Sequence, residues 1–196
     1  MKKNILPVIA LVLMSVFARA QSAGKTSISF GPELSIPFNT ASGDYGSMKD
    51  YYQHGLGGNF KIELPLTTAL FFIGSAGYVY YATNTHYYYS ADIAASSPIP
   101  MGSPEPPPYK FIPVKAGLQY YYTKCLYVSG EAGDAINLNK ASKNSFIYSV
   151  GLGAVIPFNV HNGLDIGVRY ERGFKITDYP YAMSQVGIRL AYRYQF

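Results

Sequence analysis

The chain has 196 residues, 20 of them Tyr and 19 Gly, and only 14% carry charge; a water-soluble domain carries about a quarter, so much of this surface does not face water. The 16 Lys and Arg against 11 Asp and Glu give a formal charge of +5, yet no segment gathers the basic residues, which argues against nucleic acid as a partner. A single cysteine, Cys125, excludes an internal disulfide and is expected to pack as a small apolar residue at a strand start.

Residues 1–20 have the layout of a secretory signal peptide. Lys2 and Lys3 precede an apolar run from Ile5 to Phe17, and Ala18, Arg19 and Ala20 offer a cleavage site before Gln21. The run is shorter than the roughly 20 residues of a spanning helix. Without Lys2, Lys3 and Arg19, thirteen basic residues face eleven acidic ones, a net charge of +2. The expected mature chain, 21–196, fits one domain.

From Gln21 onward the apolar pattern has period two, which predicts strands with unlike faces. In "TSISFGPELSIPF", Ile28, Phe30, Leu34, Ile36 and Phe38 alternate with Ser27, Ser29, Gly31, Glu33 and Ser35. In "GLGGNFKIELP", Leu56, Phe60, Ile62 and Leu64 alternate with Gly57, Asn59, Lys61 and Glu63. The third run, 70–81, is apolar on both parities; Leu70, Phe72, Ala76, Tyr78 and Tyr80 are the preferred outer set. The fourth, 109–122, sets Ile112, Val114, Ala116, Leu118, Tyr120 and Tyr122 against Lys115, Gly117 and Gln119.

The fifth, 126–135, sets Leu126, Val128 and Ala132 against Ser129, Glu131 and Gly133. The sixth, 145–158, sets Phe146, Tyr148, Val150, Leu152, Ala154 and Ile156 against Ser149, Gly151 and Gly153. The seventh, 164–174, sets Leu164, Ile166, Val168 and Tyr170 against Asp165, Gly167, Arg169 and Glu171. The eighth, 186–196, sets Val186, Ile188, Leu190, Tyr192, Tyr194 and Phe196 against Gly187, Arg189, Ala191, Arg193 and Gln195. Pro32, Pro37 and Pro113 each remove a ladder donor, so a bulge or a locally lost hydrogen bond is expected there.

The connections alternate in length. Residues 66–69, 123–124 and 159–163 are tight, whereas 39–54, 82–108, 136–144 and 175–181 are long. Aromatic residues follow the same division. Tyr120, Tyr122, Phe158, Tyr192, Tyr194 and Phe196 lie at the short-turn ends; Phe38, Tyr78, Tyr80, Phe146, Tyr148 and Tyr170 lie towards the long connections. Two aromatic belts, about eight strands, short turns on one rim and long loops on the other predict an all-β fold: an eight-stranded antiparallel up-and-down transmembrane β-barrel. A soluble ligand-binding barrel would have an apolar lumen and a wet exterior, the reverse of this pattern.

Sequence motifs agree with that architecture. "RLAYRYQF", with Leu190, Tyr192, Tyr194 and Phe196 on one face, resembles the C-terminal signal recognised by the outer-membrane assembly machinery. "ELPLTTALFF" and "FIPVKAGLQYYY" resemble strand segments of PorT-like barrels, and the expected mature chain as a whole resembles the small eight-stranded outer-membrane β-barrels of the opacity-protein and PorT-like kind. The resemblance implies residence in the outer membrane of a Gram-negative bacterium. It also implies outer-membrane lipids and the assembly machinery as partners, and no cofactor.

The inner parity carries the candidate functional residues. Glu33 and Lys61 on strands one and two, Lys115 and Glu131 on four and five, and Arg169, Glu171 and Arg189 on seven and eight come to comparable depth, with Glu33 also able to face Arg189 across the closing seam. Such a layer is either a selective pore or a salt-bridge plug. The plug is favoured because eight strands leave a lumen just wide enough for side chains. Lipid-modifying barrels use His with Ser or acidic partners near the outer rim, which singles out His54 and His86 in the outer loops with Ser90, Asp44 and Asp92. No His-x-Ser pair lies in a strand, so no catalytic role is expected, and the three histidines, with His161 in a short turn, are too scattered to suggest a metal site. The loop containing Tyr87, Tyr88 and Tyr89, followed by Pro106 to Pro108, is either an adhesive contact for an extracellular ligand or a cap over the barrel mouth.

Overall fold

The structure is a computed structural model that describes residues 24–38, 49, 52–83, 108–139, 144–173 and 184–196. The expected signal segment 1–20, Asp44, His86, Tyr87, Tyr88, Tyr89, Ser90 and Asp92 lie outside the described residues.

Eight strands follow the eight alternating segments: β1 (Ser27–Pro37), β2 (Tyr52–Pro65), β3 (Leu70–Thr83), β4 (Tyr109–Tyr121), β5 (Leu126–Asn137), β6 (Ser145–Pro157), β7 (Asn162–Gly173) and β8 (Ser184–Gln195). Each pairs antiparallel with the next, and β1 pairs with β8 to close the barrel. Closure leaves no free edge, which is the condition for a sheet to stand in lipid. One parity then faces in and the other out. Leu56, Val150 and Leu152 are 65%, 61% and 64% exposed, whereas Glu33, Lys61, Lys115, Asp165 and Glu171 are buried. Apolar outside and charged inside is the polarity of a membrane barrel.

The uncertain third strand takes the preferred register. Phe71, Ile73, Ser75, Val79 and Tyr81 are buried, and Leu70, Phe72, Ala76, Tyr78 and Tyr80 are not. The short rim repeats one local solution three times. Thr67 Oγ1 accepts from Leu70 N at 2.9 Å, Thr123 Oγ1 from Leu126 N at 2.9 Å, and Asn159 Oδ1 from Asn162 N at 2.8 Å. A short side-chain acceptor at the start of each turn replaces the backbone bond that the reversal removes. Cys125 sits in the second of these turns and is exposed, so it is not a packed residue at a strand start; Leu126 opens β5 instead.

His54 also differs from expectation. It lies within β2, which begins at Tyr52, and not in a loop; Gln53 and His54 are both exposed beside a register shift between Tyr52 and Gly55. The expected disturbance at proline takes its milder form. The β1–β8 ladder skips from Phe30↔Tyr192 to Glu33↔Arg189 around Pro32, and the β3–β4 ladder from Ala76↔Val114 to Val79↔Phe111 around Pro113, with no change of register in either. Inner-face glycines serve the tight curvature. A Cβ on Gly117 would lie 1.9 Å from the Gly130 carbonyl oxygen, so only a residue without one lets β4 and β5 approach this closely.

Candidate functional site in the barrel lumen

Inward-facing side chains fill the lumen in layers. Towards the short-turn rim an aromatic floor forms from Phe71, Tyr121 and Tyr127, with ring centroids 5.3 Å and 5.5 Å apart in edge-on contacts. Towards the long connections an apolar roof gathers Tyr52, Val79, Tyr81, Phe111, Ala135 and Ile147, with Tyr109 packed against them. Tyr81 and Phe111 stack there at 6.4 Å and 12°. Between floor and roof stand five cations and five carboxylates among the described residues: Lys61, Lys115, Arg169, Arg189 and Arg193 with Glu33, Glu63, Glu131, Asp165 and Glu171.

The charges form two tiers. In the lower one Lys61 Nζ donates to Gln119 Oε1 at 3.0 Å and forms ion pairs with Glu63 at 2.8 Å and Asp165 at 2.9 Å. Arg189 donates to Asp165 at 2.5 Å and to Ser29 Oγ at 2.6 Å. Arg193 donates to Glu63 and to Ser27 Oγ, each at 3.0 Å. The floor contributes polar edges as well. Tyr127 OH donates to Asp165 at 2.6 Å and Tyr121 OH to Glu63 at 3.1 Å, while the Lys61 ammonium stands 4.7 Å above the Tyr127 ring.

In the upper tier Arg169 Nη2 lies 2.6 Å from Glu33 Oε1, an ion pair without hydrogen-bond alignment. Lys115 pairs closely with Glu171 and donates to Ser149 Oγ at 3.3 Å. Gln185 Nε2 donates to Glu171 at 2.7 Å and Gln185 Oε1 accepts from Tyr81 OH, tying the tier to the roof. Glu131 accepts from Ser75 Oγ. Buried charges persist where opposite charge and hydrogen bonds together offset their desolvation, as they do here.

The seven lumen residues expected from sequence, Glu33, Lys61, Lys115, Glu131, Arg169, Glu171 and Arg189, are all buried inside the barrel. Of the groups expected, Arg169 and Glu171 do form an ion pair, at 3.7 Å, but Glu33–Lys61 and Lys115–Glu131 do not. Register sets Glu33 opposite Gly57 and Lys61 opposite Ser29 on the β1–β2 ladder, and Lys115 opposite Gly133 and Glu131 opposite Gly117 on β4–β5. Glu33 and Arg189 do face each other across the seam, yet each turns to another partner. Ion pairs instead span the lumen, Lys115 of β4 to Glu171 of β7 and Lys61 of β2 to Asp165 of β7. A lumen about one side chain wide brings opposite walls within reach of a lysine.

Glu63, Asp165 and Arg193 belong to the charge set as fully as those seven. Their signal was inner-face parity, which they share with Lys61, Arg169 and Arg189. Among the described residues no group of three or more His, Cys, Asp or Glu could hold a metal ion. At the C-terminal rim Tyr192 and Tyr194 are outward, Phe196 packs edge-on to Tyr194 at 5.2 Å, and the Phe196 N–H donates to Thr26 O at 3.0 Å.

No protein-family model and no curated protein sequence matches the chain. Solved structures do match in fold. The attachment invasion locus protein Ail of Yersinia pestis superposes with a TM-score of 0.51 at 18% identity, over 89% of this chain and 99% of Ail; its complex with the heparin analogue sucrose octasulfate gives 0.51 at 17%, over the same shares. The outer membrane protein OprG of Pseudomonas aeruginosa gives 0.53 at 12%, over 89% of this chain and 96% of OprG. The fold is thus that of the small eight-stranded outer-membrane β-barrels, and its apolar outer face belongs in that bilayer.

Proposed function

We propose that this protein is a non-conducting barrel of the outer membrane, a rigid lipid-embedded frame that presents its long connections outside the cell for surface contact, with no catalytic activity. The observation that carries this reading is the lumen: ten charges engaged across a bore that an apolar roof and an aromatic floor cover at the two ends. Equal numbers of cations and carboxylates leave the lumen with no net charge that would favour ions of one sign. The name of Ail, an attachment protein on this architecture, is consistent with surface contact, and the loop tyrosines Tyr87, Tyr88 and Tyr89 are the contact candidates for an extracellular ligand. Membrane lipids and, during biogenesis, the assembly machinery acting on Leu190, Tyr192, Tyr194 and Phe196 complete the proposed partners. The finer kinship with opacity-protein and PorT-like barrels rests on the strand motifs.

A narrow channel is the second reading, favoured by a cavity of about 30 Å³ in mid-lumen. Planar-bilayer recording separates the two. Purified wild type should show no steady ionic current; a steady, ion-selective current that changes with Glu131→Ala would replace the plug by a selectivity ring.

A further inference from the structure

The two charge tiers are individually unbalanced. Lys61, Arg189 and Arg193 form their ion pairs with Glu63 and Asp165 below, while Lys115 and Arg169 stand with Glu33, Glu131 and Glu171 above. One positive charge is in surplus in the lower tier and one negative in the upper. Glu131 is the surplus acid: its hydrogen-bond partner is the Ser75 hydroxyl, and the ion pairs of the lumen engage the other four carboxylates.

The mid-lumen cavity lies against this mismatch. Asn59, Ser75, Ser129, Glu131, Arg169 and Arg189 line it, and Gly151 and Gly167 on the wall of β6 and β7 leave it open by bringing no side chain. Asn59 is 5% exposed, yet neither its Oδ1 nor its Nδ2 has a hydrogen-bond partner in the protein. The Nε groups of Arg169 and Arg189 are also without one, Arg169 Nε having only the Glu171 carboxylate at ion-pair distance, 3.7 Å. Buried amides and guanidinium N–H groups are hydrogen-bonded as a rule, so these atoms, carried by residues that line one cavity, call for an occupant.

We infer that this cavity is a binding site for about two water molecules, which link Asn59 to Glu131 and carry the interaction of that carboxylate to the surplus positive charge of the lower tier. A water needs roughly 10–15 Å³ of such space and two to four polar partners, and both are present. Water alone matches the mixed chemistry. It donates to Glu131 and Asn59 Oδ1 and accepts from Asn59 Nδ2 and the two Nε groups. An anion would face Glu131, and a cation would face Arg169 and Arg189. The inference stands whether or not the lumen conducts.

The test is a water-to-protein NOE measurement on isotope-labelled protein refolded in detergent micelles. Wild type should show cross-peaks between long-lived water and the Asn59 side-chain amide, unchanged when chloride is replaced by gluconate. Asn59→Leu, which fills the space with apolar atoms, should lose water cross-peaks to the backbone amide of Gly151 and keep its thermal midpoint. Absence of the wild-type cross-peaks overturns the inference. Cross-peaks or a thermal midpoint that depend on chloride overturn it in favour of an anion site. Both readings come from wild type and hold even if the variant fails to fold.

Discussion

Asp165 is the residue whose loss the lumen should tolerate least. Its side chain is fully buried and takes Lys61 at 2.9 Å, Arg189 at 2.5 Å and Tyr127 OH at 2.6 Å. In Asp165→Ala, Lys61 keeps Glu63 at 2.8 Å, but Arg189 keeps only its hydrogen bond to Ser29 and becomes a buried cation without an ion-pair partner. Breaking one buried pair from one side costs about 3–5 kcal/mol, and the orphaned Tyr127 hydroxyl adds about 1–3 kcal/mol. Glu131→Ala, which removes a carboxylate engaged by a hydroxyl, should cost about 1–3 kcal/mol. Urea unfolding of barrels refolded in detergent, followed by tyrosine fluorescence and by the gel mobility of folded and unfolded forms, reads the difference. A double variant, Asp165→Ala with Arg189→Met, should recover most of the loss because the stranded charge goes too. If Asp165→Ala unfolds no earlier than Glu131→Ala, or the double variant is worse than the single one, the lumen charges are not energetically paired as their distances imply.

Changing Tyr194 and Phe196 to Ser should lower membrane assembly, measured as heat-modifiable protein in the outer-membrane fraction, far more than changing Tyr87 and Tyr89; equal assembly would remove the C-terminal signal from the account. Gly117→Ala should destabilise the refolded barrel by about 3 kcal/mol through overpacking, because its Cβ would collide with the Gly130 carbonyl, whereas Gly130→Ala should be near neutral, since a Cβ there meets nothing within 4 Å.

Strand number, facing and the two rims were legible in the linear order of residues, because a barrel wall imposes a period of two and a closed, lipid-bathed sheet inverts the usual polarity. Ser27, Ser29 and Glu33 against Ile28, Phe30 and Leu34 already state which face of β1 is inside. Even the ambiguous stretch Leu70 to Tyr81 has its preferred register, since only one parity places Ser75 inward beside charge. The turn at Cys125 and the start of β2 before His54 were not legible: one depends on where a threonine closes a reversal, the other on a local shift of register. The ion pairs lay furthest from view. Parity assigns Lys61, Asp165 and Glu171 to the interior, but partner choice depends on strand stagger and on the width of the bore, and both exist only after β8 has met β1. Pairing sets Glu33 opposite glycine on one ladder and gathers Tyr52, Tyr81 and Phe111 from three strands into one roof, and closure brings β7 within reach of β2 and β4. Distances across a lumen come from the whole ring, and no single segment of chain contains them.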